Sequence, residues 1–125
     1  MVSPSWTRAG SSGWLDPFVS REGERSVVWL AGEQDLATVP LLIRTLAEVT
    51  ARDHADLVVD LGEVSFVDAR TLGVLIRGRR VLRDLSRDLT LRAPSRFARR
   101  VLELCGVADL LDPLVDHDQR PPGRP

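Results

Sequence analysis

Three short apolar runs, each followed by a segment with helical periodicity, constrain the fold of this chain more than any other feature. The runs are SVVWLA (residues 26–31), DLVVDL (56–61) and DLTLRA (88–93). Strands that alternate with helices in this way are typical of α/β domains, in which helices connect neighbouring parallel strands and pack on the sheet. Because DLVVDL is apolar almost throughout, we expect a strand that is covered on both faces.

Helical periodicity predicts three helices, over residues 38–50, 71–83 and 95–105. Thr38 is a candidate N-cap of the first helix, and Pro40 suits its first turn. Gly106 directly follows the third helix and is a candidate C-cap.

A hairpin is predicted ahead of the first helix. Residues 18–20 and the run 26–31 have strand composition and flank the turn REGER. Two strands joined by so short a turn must be antiparallel. The sequence therefore predicts an α/β fold with a mixed, mostly parallel sheet of four or five strands and helices packed against it.

Length and composition predict one domain between two short arms. A chain of 125 residues, 43% of them apolar, can bury one core but not two. We expect a flexible N-terminal arm, a domain whose last short strand is at 113–115, and a disordered C-terminal tail, over residues 1–15, 16–115 and 116–125.

No segment predicts insertion into a membrane or export. No stretch approaches the roughly 20 apolar residues that span a bilayer, and the N-terminus lacks the charged-then-apolar order of a signal peptide. The single cysteine, Cys105, cannot form an internal disulfide. We therefore expect a cytoplasmic protein.

Common enzyme motifs are missing from the sequence. The chain contains no Lys, which excludes a phosphate-binding P-loop lysine, and it has neither a G-x-G-x-x-G nor a G-x-S-x-G motif. The two histidines, His54 and His117, have no Cys or carboxylate partners at the spacing of metal ligands. We therefore predict a protein without catalytic residues, metal or cofactor.

Positive charge is concentrated in the middle of a chain whose net charge is −1. Residues 70–100 contain ten Arg and two Asp, and helical spacing places four arginines in one stripe of the second helix: Arg70, Arg77, Arg80 and Arg87. Such a stripe is compatible with a solvated face, with binding of an acidic protein surface, or with nucleic acid. Nucleic acid is disfavoured because the whole protein is slightly acidic and no aromatic residue lies in the stripe.

Acidic residues follow two of the predicted strands. Glu33 and Asp35 come after the first run, and Asp68 follows VSFV. The carboxyl ends of parallel strands meet at one edge of a sheet, where α/β domains usually place their sites. Each Asp also has a structural interpretation, because Asp68 suits the N-cap of the second helix and Asp35 suits the first helix or the loop before it.

Three segments in order resemble the STAS domain family, the sulfate-transporter and anti-sigma-factor-antagonist module. VVWLAGEQDLATVPLL resembles the family's strand, G-E-[LIV]-D and first helix. DLVVDLGEVSFVDARTLGVLIRGRRVL resembles its central strand, F-[LIVM]-D-S-[ST]-G-L-G and second helix. APSRFARRVLELCGVADLLD resembles its final helix and trailing G-[LV]-x-x-[LI]. The resemblance covers about residues 17–115.

The resemblance implies a protein-binding regulator of transcription. Single-domain bacterial members act as anti-sigma factor antagonists: the unphosphorylated antagonist binds an anti-sigma factor of serine-kinase type and frees the sigma factor. The kinase then phosphorylates the Ser or Thr after the motif Asp, and binding is lost because the phosphate adds negative charge beside existing carboxylates. The partner-binding residues implied for this chain are Glu33, Asp35, Asp68, Ala69, Arg70, Thr71, Gly73 and Arg77.

The chain departs from the family where the switch operates. Ala69 stands where the family has the phosphorylated Ser, and Arg70 and Thr71 occupy the next two positions. Thr71 is a weak candidate phosphoacceptor, because two residues rotate it by about 200° around a helix relative to residue 69. The sequence therefore predicts an antagonist-like module that is not phosphorylated at the usual position.

Alternatives with the same fold stay open at this stage. The domain could be a subunit of a larger sensor or of a transporter-associated assembly, and the partner could be a regulatory protein other than an anti-sigma factor. A small-ligand or nucleotide site at the acidic sheet edge is a further alternative, weakened by the missing phosphate loop. A homodimer is compatible with the sequence.

Overall fold

The computed structural model of the protein describes residues 8–9 and 14–112. In chain order the strands are β1 (Arg8–Ala9), β2 (Trp14–Leu15), β3 (Phe18–Glu22), β4 (Arg25–Gln34), β5 (Asp56–Val67) and β6 (Leu89–Arg92). The helices are α1 (Val39–Arg52), α2 (Ala69–Asp84) and α3 (Arg96–Leu104), followed by a 3-10 turn at Ala108–Leu110.

The main sheet has four strands in the order β3-β4-β5-β6. β3 and β4 form the predicted antiparallel hairpin, with Phe18 opposite Trp29 and a turn at Gly23. β4, β5 and β6 are parallel to one another. The predicted α/β fold with a mixed, mostly parallel sheet is therefore confirmed.

The predicted arms fall mostly outside the described residues. Within the N-terminal arm, β1 and β2 pair antiparallel, with Arg8 opposite Leu15 and Ala9 opposite Trp14. The predicted strand at 113–115 and the tail at 116–125 lie outside the described residues. The domain boundaries stay a prediction.

All three helices pack on one face of the sheet. The apolar core joins Val28 and Leu30 of β4 and Val59 of β5 to buried side chains of α1, α2 and α3 that include Leu42, Leu46, Leu72, Leu75, Leu82, Ala98 and Leu102. As predicted, Leu72, Leu75 and Leu82 share the buried face of α2. Burial of these aliphatic groups supplies most of the driving force for folding.

The other face of the sheet carries a smaller cluster and an ion-pair network. Val27, Trp29 and Val58 are buried there, since side chains alternate between faces along a strand. Arg92 is only 5% exposed on this face. Its Nε donates to Asp60 Oδ2 at 2.7 Å, and its Nη1 and Nη2 donate to the two Glu22 carboxylate oxygens at 2.8 and 3.1 Å. The guanidinium carbon also lies 5.0 Å from the ring centroid of Trp29. Arg92 therefore ties β3, β4 and β5 to β6.

β5 joins two stretches that the sequence shows separately. The apolar run 56–61 and the stretch VSFV in front of Asp68 belong to one strand, which extends past residue 61 through less apolar residues to Val67. The extension is held by pairing with the end of β4, from Ala31 opposite Glu63 to Gln34 opposite Val67. Gly32 permits this pairing because it sits at a register shift with φ of +73°, which disfavours side chains other than glycine.

Two further predictions about α2 and its arginines differ from the structure. α2 begins two residues earlier than predicted, directly after Asp68. Arg87 is not part of an exposed stripe, because α2 ends at Asp84 and Arg87 is 9% exposed. Its guanidinium donates to the carbonyls of Ala55 and Thr50 and so anchors the carboxyl end of α1.

The ends of the other helices follow the sequence signals in part. Thr38 occupies the predicted N-cap position of α1, but its hydroxyl donates toward Gln34 and the Asp35 carbonyl and does not bond to a helical N–H. Gly106 ends α3 with φ of +74°, and the N–H groups of Gly106 and Val107 return to carbonyls of the last helical turn. That geometry confirms Gly106 as the residue that terminates the helix.

We expect Arg92→Ala to lower the free energy of unfolding by about 3–5 kcal/mol, because the Asp60 carboxylate would stay buried without its cation. Urea unfolding followed by circular dichroism measures the change. Arg21→Ala is the matched control, since the exposed Arg21–Asp53 pair should contribute less than about 1 kcal/mol. Equal losses in the two variants would contradict the assignment of Arg92 as the main tie across the sheet.

The same network predicts the direction of an acid effect. Hydrogen bonds from Arg92 hold the pKa of Glu22 below its ordinary value of 4.5. A lowered pKa in the folded state means that the stabilisation is present above the ordinary pKa and is lost as the pH falls through the folded-state pKa. The stability difference between wild type and Arg92→Ala should therefore narrow as unfolding is measured at progressively lower pH below about 4.5.

The start of α2 yields a second stability prediction. Asp68 Oδ1 accepts a hydrogen bond from the Thr71 N–H at 2.9 Å, which confirms the predicted N-cap. This bond lowers the pKa of the Asp68 carboxyl below its ordinary 3.8, so its stabilisation is lost as the pH falls through that lowered pKa. Asp68→Ala should lower the thermal midpoint more than Asp68→Asn, whose amide oxygen can still accept the bond. Asp84→Ala, at the unfavourable end of the same helix dipole, should cause no loss.

Candidate functional site

The carboxyl ends of β4 and β5 meet at one edge of the sheet. Glu33 lies opposite Phe66 and Gln34 lies opposite Val67 in parallel register. The residues that follow these two strands, Asp35 and Asp68, are thus brought to the same edge although 33 positions separate them in the sequence. The predicted acidic edge of Glu33, Asp35 and Asp68 therefore has a structural basis in the β4–β5 pairing.

The backbone carbonyl of Gln34 fastens the end of β4 to the start of α2. It accepts a hydrogen bond from the Asp68 N–H at 3.1 Å and another from Thr71 Oγ1 at 3.1 Å. The Gln34 side chain is itself buried, and its Nε2 donates to the Ala31 carbonyl at 2.9 Å. Gln34 was not among the residues that the sequence predicted for the site. The available signal was a polar residue in the G-E-x-D motif where the family has an aliphatic one.

Asp35 orders the loop between β4 and α1. Its Oδ1 accepts from the Ala37 N–H at 3.0 Å, and its carbonyl accepts from the N–H groups of Thr38 and Val39. Asp35 therefore shapes the loop that precedes α1, one of the two structural roles that the sequence suggested for it. The residue is half-buried, whereas Glu33 is exposed.

Ala69 is the first residue of α2 and is exposed, as is Arg70. The fold does not depend on the methyl group of Ala69, because Asp68 caps α2 and the Gln34 carbonyl anchors the start of this helix. We call the set formed by Glu33, Asp35, Asp68, Ala69 and Arg70 the α2 N-terminal surface. The position that the family resemblance assigns to the phosphorylated hydroxyl therefore faces solvent.

Thr71 is not part of this surface, because its side chain is buried. It is 0% exposed, and its hydroxyl is engaged with the Gln34 carbonyl. Thr71 was itself predicted to bind the partner, but the structure places it beneath the exposed residues of that set. Its side chain supports the junction from inside, and its hydroxyl is inaccessible unless that junction opens.

Gly73 and Arg77 extend the α2 N-terminal surface along the helix. Residues 69, 73 and 77 lie four positions apart and so share one helix face. A Cβ atom added at Gly73 would lie 3.4 Å from Arg77 Nη1. The Arg77 guanidinium therefore lies over the space that glycine leaves open. Arg77 is exposed and forms no hydrogen bond or ion pair within the described residues. The helix therefore offers an unpaired cation two turns from Ala69.

The electrostatics of the edge suit recognition better than catalysis. The pKa of Asp68 is lowered, chiefly by the hydrogen bond from the Thr71 N–H, so this carboxylate stays ionised at neutral pH. A general acid or base works best with a pKa near the working pH, and Asp68 is moved away from that range. No cluster of His, Cys, Asp or Glu with the geometry of a metal site occurs in residues 8–9 and 14–112.

Within the same residues, none of the helices has the length and apolar character needed to cross a membrane.

Comparison with known proteins agrees with this geometry. A family model described as "Mlab, STAS domain" matches residues 18–115. The anti-sigma-B factor antagonist of Listeria monocytogenes is 29% identical over 92 residues, which cover 74% of this chain and 81% of that protein. The anti-sigma-B factor antagonist of Staphylococcus aureus is 30% identical over 84 residues, which cover 67% and 78% of the two chains.

Solved structures share the fold. An anti-sigma factor antagonist from Mycobacterium paratuberculosis is 28% identical, with a TM-score of 0.68 over 76% of this chain and 80% of that one. The unphosphorylated form of the anti-sigma factor antagonist SpoIIAA is 19% identical, with a TM-score of 0.67 over 77% and 85% of the two chains. The family match, which spans the whole sheet and all three helices, shows that this chain belongs to the STAS domain family.

Proposed function

We propose that this protein is an anti-sigma factor antagonist that regulates transcription by partner switching and that binds its partner through the α2 N-terminal surface together with Gly73 and Arg77. The names of its relatives in Listeria and Staphylococcus support the general function. The exposed mixture of carboxylates and arginines at one sheet edge supports a protein partner, since complementary charges steer association and fix orientation. The partner would be an anti-sigma factor of serine-kinase type or another regulatory protein.

The observation that carries the finer proposal is the exposed Ala69. Ala69 is exposed at the first position of α2, next to Asp68. A phosphate group at this position would therefore lie beside an existing negative charge. Phosphate brings a charge of about −1.5 to −2 at neutral pH, which a desolvated interface opposes strongly. Ala69 has no hydroxyl to receive it, and the nearby hydroxyl of Thr71 is buried. We therefore propose that binding is constitutive with respect to this switch.

The proposed activity is binding without catalysis, in the cytoplasm. The ionised state of Asp68 supports binding without catalysis, because this carboxylate accepts the hydrogen bond that caps α2 and is not poised to exchange a proton. The alternative, a STAS subunit of a larger sensor or transporter-associated assembly, uses the same fold with a different partner. Affinity purification from the native host with mass spectrometry distinguishes the two: recovery of an anti-sigma factor supports the proposal, and recovery of a membrane transport complex alone overturns it.

The missing phosphoacceptor can be tested by restoring it. The wild-type protein, incubated with the cognate anti-sigma factor kinase and ATP, should incorporate no phosphate at residues 69–71 as measured by intact-mass spectrometry. Ala69→Ser should become a substrate, because the new hydroxyl would be exposed at the expected position. Ala69→Ser combined with Thr71→Val is the control that assigns the phosphate to residue 69. Stoichiometric phosphate on residues 69–71 of the wild type would refute the proposal.

The role of Ala69 in the interface gives a separate test. Ala69→Glu should weaken partner binding at least tenfold in calorimetry, because it puts a carboxylate beside Asp68 in the contact region. It should not unfold the protein, since an acidic side chain in the first turn interacts favourably with the helix dipole. Ala108→Glu is the matched control. Like Ala69, Ala108 is exposed and adjacent to an Asp in the sequence, here Asp109, but Asp109 pairs with Arg79 in the carboxyl-terminal half of α2, away from the proposed interface. Equal affinities of the two variants would place the interface elsewhere.

A further inference from the structure

The outer half of β5 has a partner strand on one side only. Pairing between β5 and β6 ends at Asp60 opposite Arg92, whereas pairing between β5 and β4 continues to Val67. β6 stops there because the chain leaves the sheet at Ala93, whose φ is +57°, and reaches the N-cap of α3 at Ser95. Among residues 8–9 and 14–112, no segment covers the side of β5 beyond the end of β6, which leaves an open strand edge over residues 63–66.

The backbone groups along this edge have no partner in the described part of the chain. The N–H of Gly62, at the start of the stretch, is satisfied by Asp60 Oδ1 at 2.8 Å. No backbone hydrogen bond connects residues 63–66 to any described segment other than β4. Four residues of free edge measure about 13 Å. Such an edge can receive an added strand, because its unpaired N–H and C=O groups match those of another extended chain.

An apolar groove runs beside the same edge. It has a volume of about 310 Å³ and lies between the end of β5 and the start of α3, with Leu61, Val64 and Ala98 among its lining residues. Phe66 and Phe97 also line it and stay 49% and 65% exposed. Large exposed aromatic groups next to a concave apolar surface are typical of sites that hold a partner's side chain.

The charge around the groove is positive on the α3 side. Arg96 precedes Phe97 and Arg100 follows it by about one turn of α3. Both are exposed just outside the groove lining and form no ion pair with any residue in the described part of the chain. On the β5 side, Glu63 is exposed and acidic. The amino end of α3, capped by the bond from the Ala98 N–H to Ser95 Oγ, adds a partial positive charge in the same place. An acidic segment therefore complements this rim better than a basic or neutral one.

We propose that residues 63–66 of β5 and the Phe66–Phe97 groove form a second docking site, which binds an extended acidic segment of a partner protein as an added strand. The backbone edge selects an extended conformation, the groove takes one aliphatic side chain, and Arg96 and Arg100 pair with carboxylates. The site lies on different elements from α2, so it does not depend on the partner proposed above. Because alternate residues of a strand face the same way, the aliphatic side chain that enters the groove and the carboxylates that reach α3 are two residues apart in the segment that fits.

A defined peptide probe tests this site. The probe is a capped peptide of about seven residues in which threonine alternates with glutamate, valine and glutamate, so that the charged and the aliphatic side chains share one face. It is added to the full-length isotope-labelled protein and followed by amide chemical shifts and hydrogen exchange. We expect saturable shifts confined to residues 62–67 and 94–98, with slower exchange of amides in residues 63–66. The same peptide with N-methylated backbone amides should not bind, because it cannot complete the ladder. A version with lysine in place of glutamate should bind at least tenfold more weakly.

Matched variants connect the binding to the groove. Phe97→Ala should weaken binding of the glutamate–valine peptide at least tenfold, and Phe97 is exposed enough for the variant to fold. Leu104→Ala is the control, because Leu104 is an equally exposed apolar residue of α3 outside the groove. Undiminished binding of the N-methylated peptide, shifts centred on α1 and α2, or no shift up to the solubility limit of the peptide would each overturn the proposal.

Discussion

Parallel pairing between β4 and β5 is the interaction on which the rest of this structure depends. It extends from the buried centre of the sheet to the last residues of both strands, past two register shifts. Because the strands end side by side, the loop that carries Asp35 and the helix start that carries Asp68 become neighbours. The Gln34 carbonyl then joins them by accepting from the Asp68 N–H and the Thr71 hydroxyl. A single backbone oxygen thus holds the start of the helix that presents the proposed binding surface.

The groups that maintain this junction differ from those that face solvent. Asp68, Thr71 and Gln34 cap, support and anchor α2, and their polar groups are used within the protein. Ala69 and Arg70 take no part in that support and are exposed. Residue 69 can therefore change without loss of the fold, which explains how a chain can keep a STAS scaffold while lacking the hydroxyl expected from the family resemblance. The residues that support the fold and the position of the expected switch are physically separable, because they are different side chains of the first turn of α2.

The two proposed surfaces are both consequences of unequal strand lengths. β5 has twelve residues, whereas β6 has four. On the β4 side, the extra length of β5 is paired and builds the acidic edge. On the β6 side the same length is unpaired and leaves an open edge beside Phe66 and Phe97. Glu33 and Phe66 lie opposite each other in the ladder, so the two surfaces meet at the end of the sheet.

Much of the local structure follows from short-range chemistry that the sequence displays directly. Apolar periodicity predicted the main strands and three helices, because burial of one face requires a fixed spacing of side chains along each element. Asp68 was recognised as a helix cap, and Gly106 as a helix terminator, since both roles depend on a few neighbouring residues. The absence of a hydroxyl at residue 69 is likewise a property of the sequence alone.

Features that depend on register between distant segments appeared only in the tertiary structure. The extension of β5 to Val67 relies on the end of β4, because residues 62–66 lack the continuous apolar pattern of a buried strand. Arg87 looked like part of an exposed stripe, but the end of α2 turns it toward carbonyls of residues 50 and 55. Thr71 was expected among the partner-binding residues, but it is buried and its hydroxyl donates to the Gln34 carbonyl. In each case the deciding partner lies at least thirty residues away in the sequence, and only the folded sheet brings the two groups within hydrogen-bonding distance.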